Sequence, residues 1–141
     1  MVTAGNDIGS YTFEKDSILE HLNVYKTIFK LLIGTIDIKL EIIKHGGYTD
    51  SDGFIEKIID NANDDNSNEE INIMVNTSKF NNQYYKGLQF KIYINFKGSD
   101  FEVVDGGFVD WSQKLLQSKK ERMLVSGMGI ERLLMIIKDN I

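Results

Sequence analysis

The chain has 141 residues, a length that fits one domain and lets roughly two thirds of the unfolded surface leave water. It is 42% hydrophobic with a net charge of −5, and only Arg122 and Arg132 among its 16 basic residues are arginines, which excludes global disorder and a basic nucleic-acid surface. It has no cysteine, hence no disulfide, thiolate zinc site or cysteine nucleophile. It also shows no apolar run of membrane-spanning length and no signal-peptide pattern, so the expectation is a cytoplasmic protein.

Residues 1–15 lack periodicity and read as a loose arm. Ser17 and Glu20 have the spacing of a capping box. Ile18, Leu22, Tyr25, Phe29 and Leu32 follow at helical spacing, which predicts an amphipathic helix over 17–32 with Gly34 as its stop. Ile36, Ile38, Leu40 and Ile42 alternate with polar residues and predict a half-buried strand. After the Gly46–Gly47 turn, Ser51 is placed to cap a short helix with Phe54, Ile55, Ile58 and Ile59 on its apolar face.

Residues 60–70 are rich in Asn, Asp, Ser and Glu and read as a solvated loop, and Ile71, Ile73 and Val75 suggest a second strand. Leu88, Phe90, Ile92, Ile94 and Phe96 alternate with Gln89, Lys91, Tyr93 and Asn95. A turn at 97–100 and a return from Phe101 to Val104 complete a hairpin. Residues 111–117 read as helical, 123–126 as a strand and 130–138 as a closing helix. The expected fold class is α+β, one domain over 1–141, with a largely antiparallel sheet flanked by helices on one face.

Several stretches could carry chemistry. Gly127 and Gly129 precede the last helix, and Arg132 stands in its first turn. Glycines there let a flat ligand or phosphate approach the backbone, and a helix N-terminus favours anions. The plain alternative is a turn, since the third glycine of a dinucleotide fingerprint is replaced by Arg132. Tyr84 and Tyr85 open an alternating strand, so one can enter the core while the other faces a pocket; aromatic packing at the sheet edge is the alternative. Gly106–Gly107 permits a bulge or a close ligand approach, and Asp110 suits a helix N-cap.

Asp50-Ser51-Asp52-Gly53 lacks the carboxylates a calcium loop needs at its first and last positions, so it reads as a solvated turn. His21 and His45 read as surface histidines. The acidic cluster Asp60, Asp64, Asp65, Glu69 and Glu70 reads as a solvated face, and no metal site is expected.

Three stretches taken together resemble the second half of a histidyl-tRNA synthetase catalytic core, a core shared with the regulatory subunit of ATP phosphoribosyltransferase. Tyr84-Tyr85-Lys86-Gly87-Leu88-Gln89-Phe90 is similar to the family's Tyr-Tyr-Thr-Gly-x-x-Phe strand, which lies against bound histidine. Gly106-Gly107-Phe108-Val109-Asp110 is similar to its Gly-Gly-Arg-Tyr-Asp. Gly129-Ile130-Glu131-Arg132-Leu133 resembles class II motif 3, Gly-Leu-Glu-Arg-Leu. The match is best over 84–138.

The resemblance implies ATP as a ligand at Gly127, Gly129 and Arg132. It implies an amino acid at Tyr84, Tyr85, Gly106 and Gly107, with no catalytic residue retained. The departures are specific. The chain has no proline for motif 1, no arginine upstream of the double tyrosine for motif 2, and Phe80-Asn81-Asn82-Gln83 where the family carries a catalytic arginine. Forming an aminoacyl adenylate builds negative charge at the α-phosphate that fixed cations must meet.

The resemblance therefore implies a non-catalytic domain that binds a partner protein or itself and keeps weak nucleotide or histidine binding. The alternatives are a synthetase fragment, a class II aminoacyl-tRNA ligase only with motifs 1 and 2 supplied by a missing part, and a purely structural domain. No membrane or nucleic-acid partner is expected.

Overall fold

The computed structural model describes residues 1–34, 37–64, 71–77 and 84–140. Ile36, the acidic residues Asp65, Glu69 and Glu70, and the stretch 80–83 lie outside the described residues. The elements are β1 (Val2–Asn6), α1 (Thr12–Ile33), β2 (Asp37–Lys44), α2 (Ser51–Asp64), β3 (Asn72–Asn76), β4 (Lys86–Phe96), β5 (Ser99–Val109), α3 (Trp111–Leu116), β6 (Glu121–Met128) and α4 (Ile130–Asn140).

The six strands form one sheet in the order β1-β6-β5-β4-β2-β3. Every neighbouring pair is antiparallel except β2–β3, which is parallel. The exception follows from the connection: α2 carries the chain back across the sheet, and a parallel pair requires such a crossover. In the β4–β5 hairpin only Lys97 and Gly98 form the turn, because both take positive φ, 51° and 81°, the geometry that suits a two-residue hairpin.

Residues 1–15 are not a loose arm. Val2–Asn6 pairs with β6 in the register Val2↔Val125 through Asn6↔Glu121. The segment Val-Thr-Ala-Gly-Asn shows no alternation of its own, and its partner lies at the other end of the chain. The helix α1 also begins five residues before the expected position. Ser17 is inside it, with its hydroxyl donating to the Phe13 carbonyl at 2.7 Å, so the expected capping box does not form.

Gly34 ends α1 at φ 93°, its N–H donating to the Lys30 carbonyl. At α2 the cap is Asp50 rather than Ser51. The Asp50 carboxylate accepts the Gly53 N–H at 3.0 Å, three residues on, as an N-cap does. Asp60 and Asp64 belong to α2, not to a loop.

The strands separate two chemistries by alternation. Ile38, Leu40, Ile42, Leu88, Phe90, Ile92, Ile94, Val104, Phe108 and Leu124 are buried in one core with Ile18, Leu22, Tyr25 and Phe29 of α1. Phe54, Ile55 and Ile58 of α2 and Leu133 and Ile136 of α4 join the same core. At about 25 cal/mol per Å², fully burying one such side chain contributes roughly 1.5–3 kcal/mol. The residues between them in register, Glu41, Gln89, Lys91, Asp105, Gly107 and Gly127, share the opposite, polar face.

His21, expected at the surface, is fully buried where β1, α1 and β6 meet. Its Nε2 lies 3.0 Å from Thr3 Oγ1 and its Nδ1 2.8 Å from Ser126 Oγ, while the Tyr25 hydroxyl lies 2.8 Å from the same Ser126 oxygen. Hydroxyls on β1 and β6 thus meet both nitrogens of the ring that burial would otherwise leave unpaired, and the Tyr25 hydroxyl joins them through Ser126. Burial lowers the His21 pKa below its usual 6.5, the N-terminal ammonium lowers it further, and Glu20 opposes.

The unfolded chain, with an ordinary histidine, takes up the proton first as pH falls below about 6.5. The stability held by neutral His21 is therefore present above about 6.5 and is lost as pH falls toward the folded pKa, by at most about 1.4 kcal/mol per pH unit. Urea unfolding between pH 7 and 5 is expected to show a steeper loss in the wild type than in His21→Gln. Equal slopes would remove His21 as the cause.

Candidate functional site

A cleft of about 510 Å³ opens between the N-terminal end of β4 and the β6–α4 junction. Tyr84, Tyr85, Gly127, Gly129 and Arg132, all singled out in the sequence, line it together. Gly127 stands at the end of β6, with no atom within 4 Å of where a Cβ would be, so it leaves open space as expected. Gly129 joins β6 to α4, and its N–H donates to the Val103 carbonyl at 2.8 Å.

Arg132 is exposed in the first turn of α4. Its Nη1 donates to the Glu102 carbonyl at 2.9 Å, and its other guanidinium N–H groups meet no protein acceptor among the described residues. The Glu102 carboxylate is engaged elsewhere, with Lys91 at 3.1 Å. Arg132 is thus anchored to the hairpin by a backbone carbonyl and keeps donors free at the cleft.

The two tyrosines do not split between core and pocket. Both precede β4, so strand alternation does not apply to them, and both line the cleft. Tyr84 is half exposed and Tyr85 is buried, with ring centroids 4.9 Å apart and planes at 88°. Trp111, at the start of α3, adds a second edge-to-face contact with Tyr84 at 5.5 Å and 83°. Burial, followed by the charge of Asp105 and by Tyr84, pushes the Tyr85 pKa up to about 12, so its phenol stays a donor at neutral pH.

Gly106 and Gly107 do not line the cleft. A Cβ on Gly106 would meet Ser126 Cβ at 2.6 Å and the Phe90 ring at 2.8 Å, which places it against the helical layer. A Cβ on Gly107 would meet the Tyr85 ring at 2.5 Å and the Leu88 carbonyl at 2.8 Å. Gly107 thus lets Tyr85 lie flat on the sheet, and Gly106 lets Phe90 and Ser126 close beneath it. The register irregularity lies opposite them in β4, where Gly87 and Leu88 are the additional residues between Lys86↔Phe108 and Gln89↔Gly107.

Sequence reasoning missed the polar floor. His45, expected at the surface, is buried at 4% exposure and lies behind Tyr85. Its Nε2 lies 2.9 Å from Gln89 Oε1, and Gln89 Nε2 donates to Asp105 Oδ1 at 2.8 Å. Strand alternation could have put Gln89 and Asp105 on one face, but no local signal joins His45 to them. The exposed Trp111 beside Asp110 was a usable signal.

A second cavity of about 640 Å³ lies at the opposite end of β6, beside Tyr48 and Arg122. Its guanidinium is consumed within the protein: Nε donates to Glu14 at 2.8 Å, Nη2 to Asp7 at 3.1 Å, and Nη1 to the Lys119 and Glu121 carbonyls. Among the described residues no group of three or more His, Cys, Asp or Glu side chains could hold a metal ion. No helix of the described residues is long and apolar enough to cross a membrane.

Among known proteins, no family model and no curated protein sequence matches the chain. Solved structures do. The apo histidyl-tRNA synthetase of S. aureus aligns with a TM-score of 0.65 at 17% identity, over 97% of this chain and 39% of that one. A putative threonyl-tRNA synthetase from Aeropyrum pernix aligns with a TM-score of 0.56 at 12% identity, over 85% of this chain and 32% of that one. A structure described as the RNA binding domain of threonyl-tRNA synthetase from Cryptosporidium parvum Iowa II gives 0.59 at 9% identity, over 89% and 34%. The chain spans about two fifths of the length of the first of these. At these identities the likeness is one of fold: the six-stranded mixed sheet flanked by helices is similar to the fold of these histidyl- and threonyl-tRNA synthetase structures.

Proposed function

We propose that the chain is a non-catalytic histidyl-tRNA synthetase-like domain, a protein-binding or regulatory module that keeps a small-ligand cleft for a nucleotide or an amino acid. The observation that carries this reading is the cleft itself. Tyr84 and Tyr85 before β4 and Gly127, Gly129 and Arg132 at the β6–α4 junction are two separate stretches of the chain that line one space. Adenylate formation needs several fixed cations around the attacked phosphorus. Of the two arginines, Arg122 is committed to Glu14 and Asp7, which leaves Arg132 as the guanidinium of the cleft. The regulatory subunit of ATP phosphoribosyltransferase is the precedent for such a core working without charging tRNA.

Apolar residues on the helical layer support a protein partner or self-association. Leu31 and Leu32 at the end of α1, and Ile130, Leu134 and Met135 on α4, are all exposed, and large apolar patches mark interaction sites. One observation favours a second reading: the chain matches only 39% of the bacterial histidyl enzyme. On that reading it is one piece of a synthetase, active only with the rest supplied.

A thermal-shift screen with ATP, AMP, histidine and phosphoribosyl compounds tests the cleft. A ligand at a hundredfold excess over its dissociation constant adds about 2.7 kcal/mol. If a phosphate meets Arg132, Arg132→Ala is expected to weaken ATP binding by about ten- to a hundredfold in calorimetry with the melting temperature kept. Absence of ATP binding in the wild type, with lost thermal stability in the mutant, makes Arg132 a helix anchor only. Light scattering tests association, and a strict monomer at high concentration counts against it.

A further inference from the structure

We propose that the second cavity, beside Tyr48 and Arg122, is a binding site for a small phosphate monoester, its phosphate held by the ammonium groups of Lys86 and Lys119. The two cavities share no lining residue, so the proposal stands independently of the cleft.

At about 640 Å³ the cavity has the size of a small-molecule site, roughly 300–1,000 Å³. Lys86, at the start of β4, and Lys119, in the turn between α3 and β6, both line it. Neither ammonium has an ion pair or hydrogen bond among the described residues. Elsewhere Lys39, Lys44, Lys91 and Lys114 are each paired with a carboxylate. Lys86 is moreover half-buried, with its stem lying along Gly47. A Cβ on Gly47 would meet Lys86 Cβ at 3.6 Å and Cδ at 3.8 Å. A partly desolvated cation with no counterion gains most from an anion brought to it.

The acids around the cavity do not supply that anion. Asp7 and Glu14 share Arg122, at 3.1 and 2.8 Å, and Asp110 is paired with Lys114 at 3.1 Å. Lys86 and Lys119 remain as a cationic surplus in a chain whose net charge is −5. The backbone beneath both is pinned. The Lys119 carbonyl accepts Arg122 Nη1 at 2.7 Å, and the Lys120 carbonyl accepts the Asp7 N–H at 2.7 Å. Gly87, next to Lys86, is bonded to Gly46 and His45. Binding therefore costs little ordering beyond the two side chains themselves.

The rest of the wall suits an ester whose organic part carries hydroxyls. The hydroxyls of Ser10 and Thr49 line the cavity and make no hydrogen bond among the described residues. The Tyr11 hydroxyl accepts the Asp50 N–H at 3.1 Å and keeps its own proton to donate. A sugar phosphate combines both requirements.

Calorimetry at pH 7 with the full chain tests the site, with glucose 6-phosphate, glucose and a short single-stranded RNA as probes. The wild type is expected to bind glucose 6-phosphate at least about tenfold tighter than glucose, and less tightly as salt rises. Lys86→Met and Lys119→Met are each expected to weaken the phosphate ester by about tenfold or more. Lys86→Arg and Lys119→Arg, which keep the charge, are expected to retain most of the affinity. Lys119 is exposed, so its substitution tests the site without disturbing the core. Arg132→Ala is expected to leave this binding unchanged. Affinity that survives both methionine variants overturns the proposal, and affinity lost only in Arg132→Ala places the phosphate in the cleft instead. RNA bound through the two lysines with glucose 6-phosphate unbound overturns the small ligand. No binding of glucose 6-phosphate by the wild type overturns the site and leaves the reading of the cleft untouched.

Discussion

Arg122→Met is expected to destabilise the protein by about 3–5 kcal/mol, the usual cost of stripping one partner from a buried ion pair. Glu14 has a side chain only 1% exposed, and its Oε1 takes the Arg122 Nε–H at 2.8 Å. Its Oε2 has no hydrogen-bond partner among the described residues. The remaining donor, the Tyr48 hydroxyl, stands 3.4 Å from Oε1, too long to replace a guanidinium. The substitution also releases Asp7 and the carbonyls of Lys119 and Glu121. Urea unfolding measures the loss, and Arg122→Met combined with Glu14→Leu should recover part of it by removing the stranded charge. An unchanged midpoint in the single mutant would show that the pair is not the clamp described.

Gly87→Ala is expected to cost about 2–4 kcal/mol, the sum of a left-handed backbone penalty near 1 and an overpacking penalty of 1–3. Gly87 has φ +70°, and a Cβ there would land on the ring of Tyr48. The backbone has no room to retreat. Its N–H donates to Gly46 and its carbonyl accepts from His45, each at 2.8 Å. Gly98→Ala is the control: φ is +81°, but nothing lies within 4 Å, so only the backbone penalty of roughly 1 kcal/mol is expected. Melting temperatures of the two mutants separate steric overlap from conformation, and equal losses would refute the overlap.

Alternation makes most of the sheet readable from the sequence. Leu88, Phe90, Ile92 and Ile94 declare both the strand and its buried face, and the hairpin with β5 follows from a turn between two such runs. Helices with an apolar stripe, α1 and α4, were legible for the same reason. What stayed hidden was held by partners distant in sequence. β1 has no pattern of its own and exists because β6 offers it an edge. The early start of α1 rests on Gly9, Ser10 and Tyr11 in left-handed conformations, which no propensity signals.

The parallel setting of β3 depends on where α2 returns the chain. In the cleft, Gly127, Gly129 and Arg132 were legible because they are contiguous, and the tyrosines because they are paired. The chain from Asp105 through Gln89 to His45 was not, because alternation places the first two on one face but nothing in local spacing joins His45, just past β2, to them.

The placement of β1 has a consequence for how the chain comes off the ribosome. Its partner residues, and the contacts that fasten the corner, are far downstream: Arg122 reaches back 108 positions to Glu14 and 115 to Asp7, and Ser126 meets His21 across 105. The first strand emerges first and docks last. Until β6 is made, β5 is an unpaired border and the buried ring of His21 lacks Ser126. Loop closure of this span must precede the contacts that reward it, which slows the final step and leaves strand borders uncovered meanwhile. Nascent chains stalled before residue 121 should therefore engage chaperones that hold extended segments, and release from them should coincide with synthesis of β6.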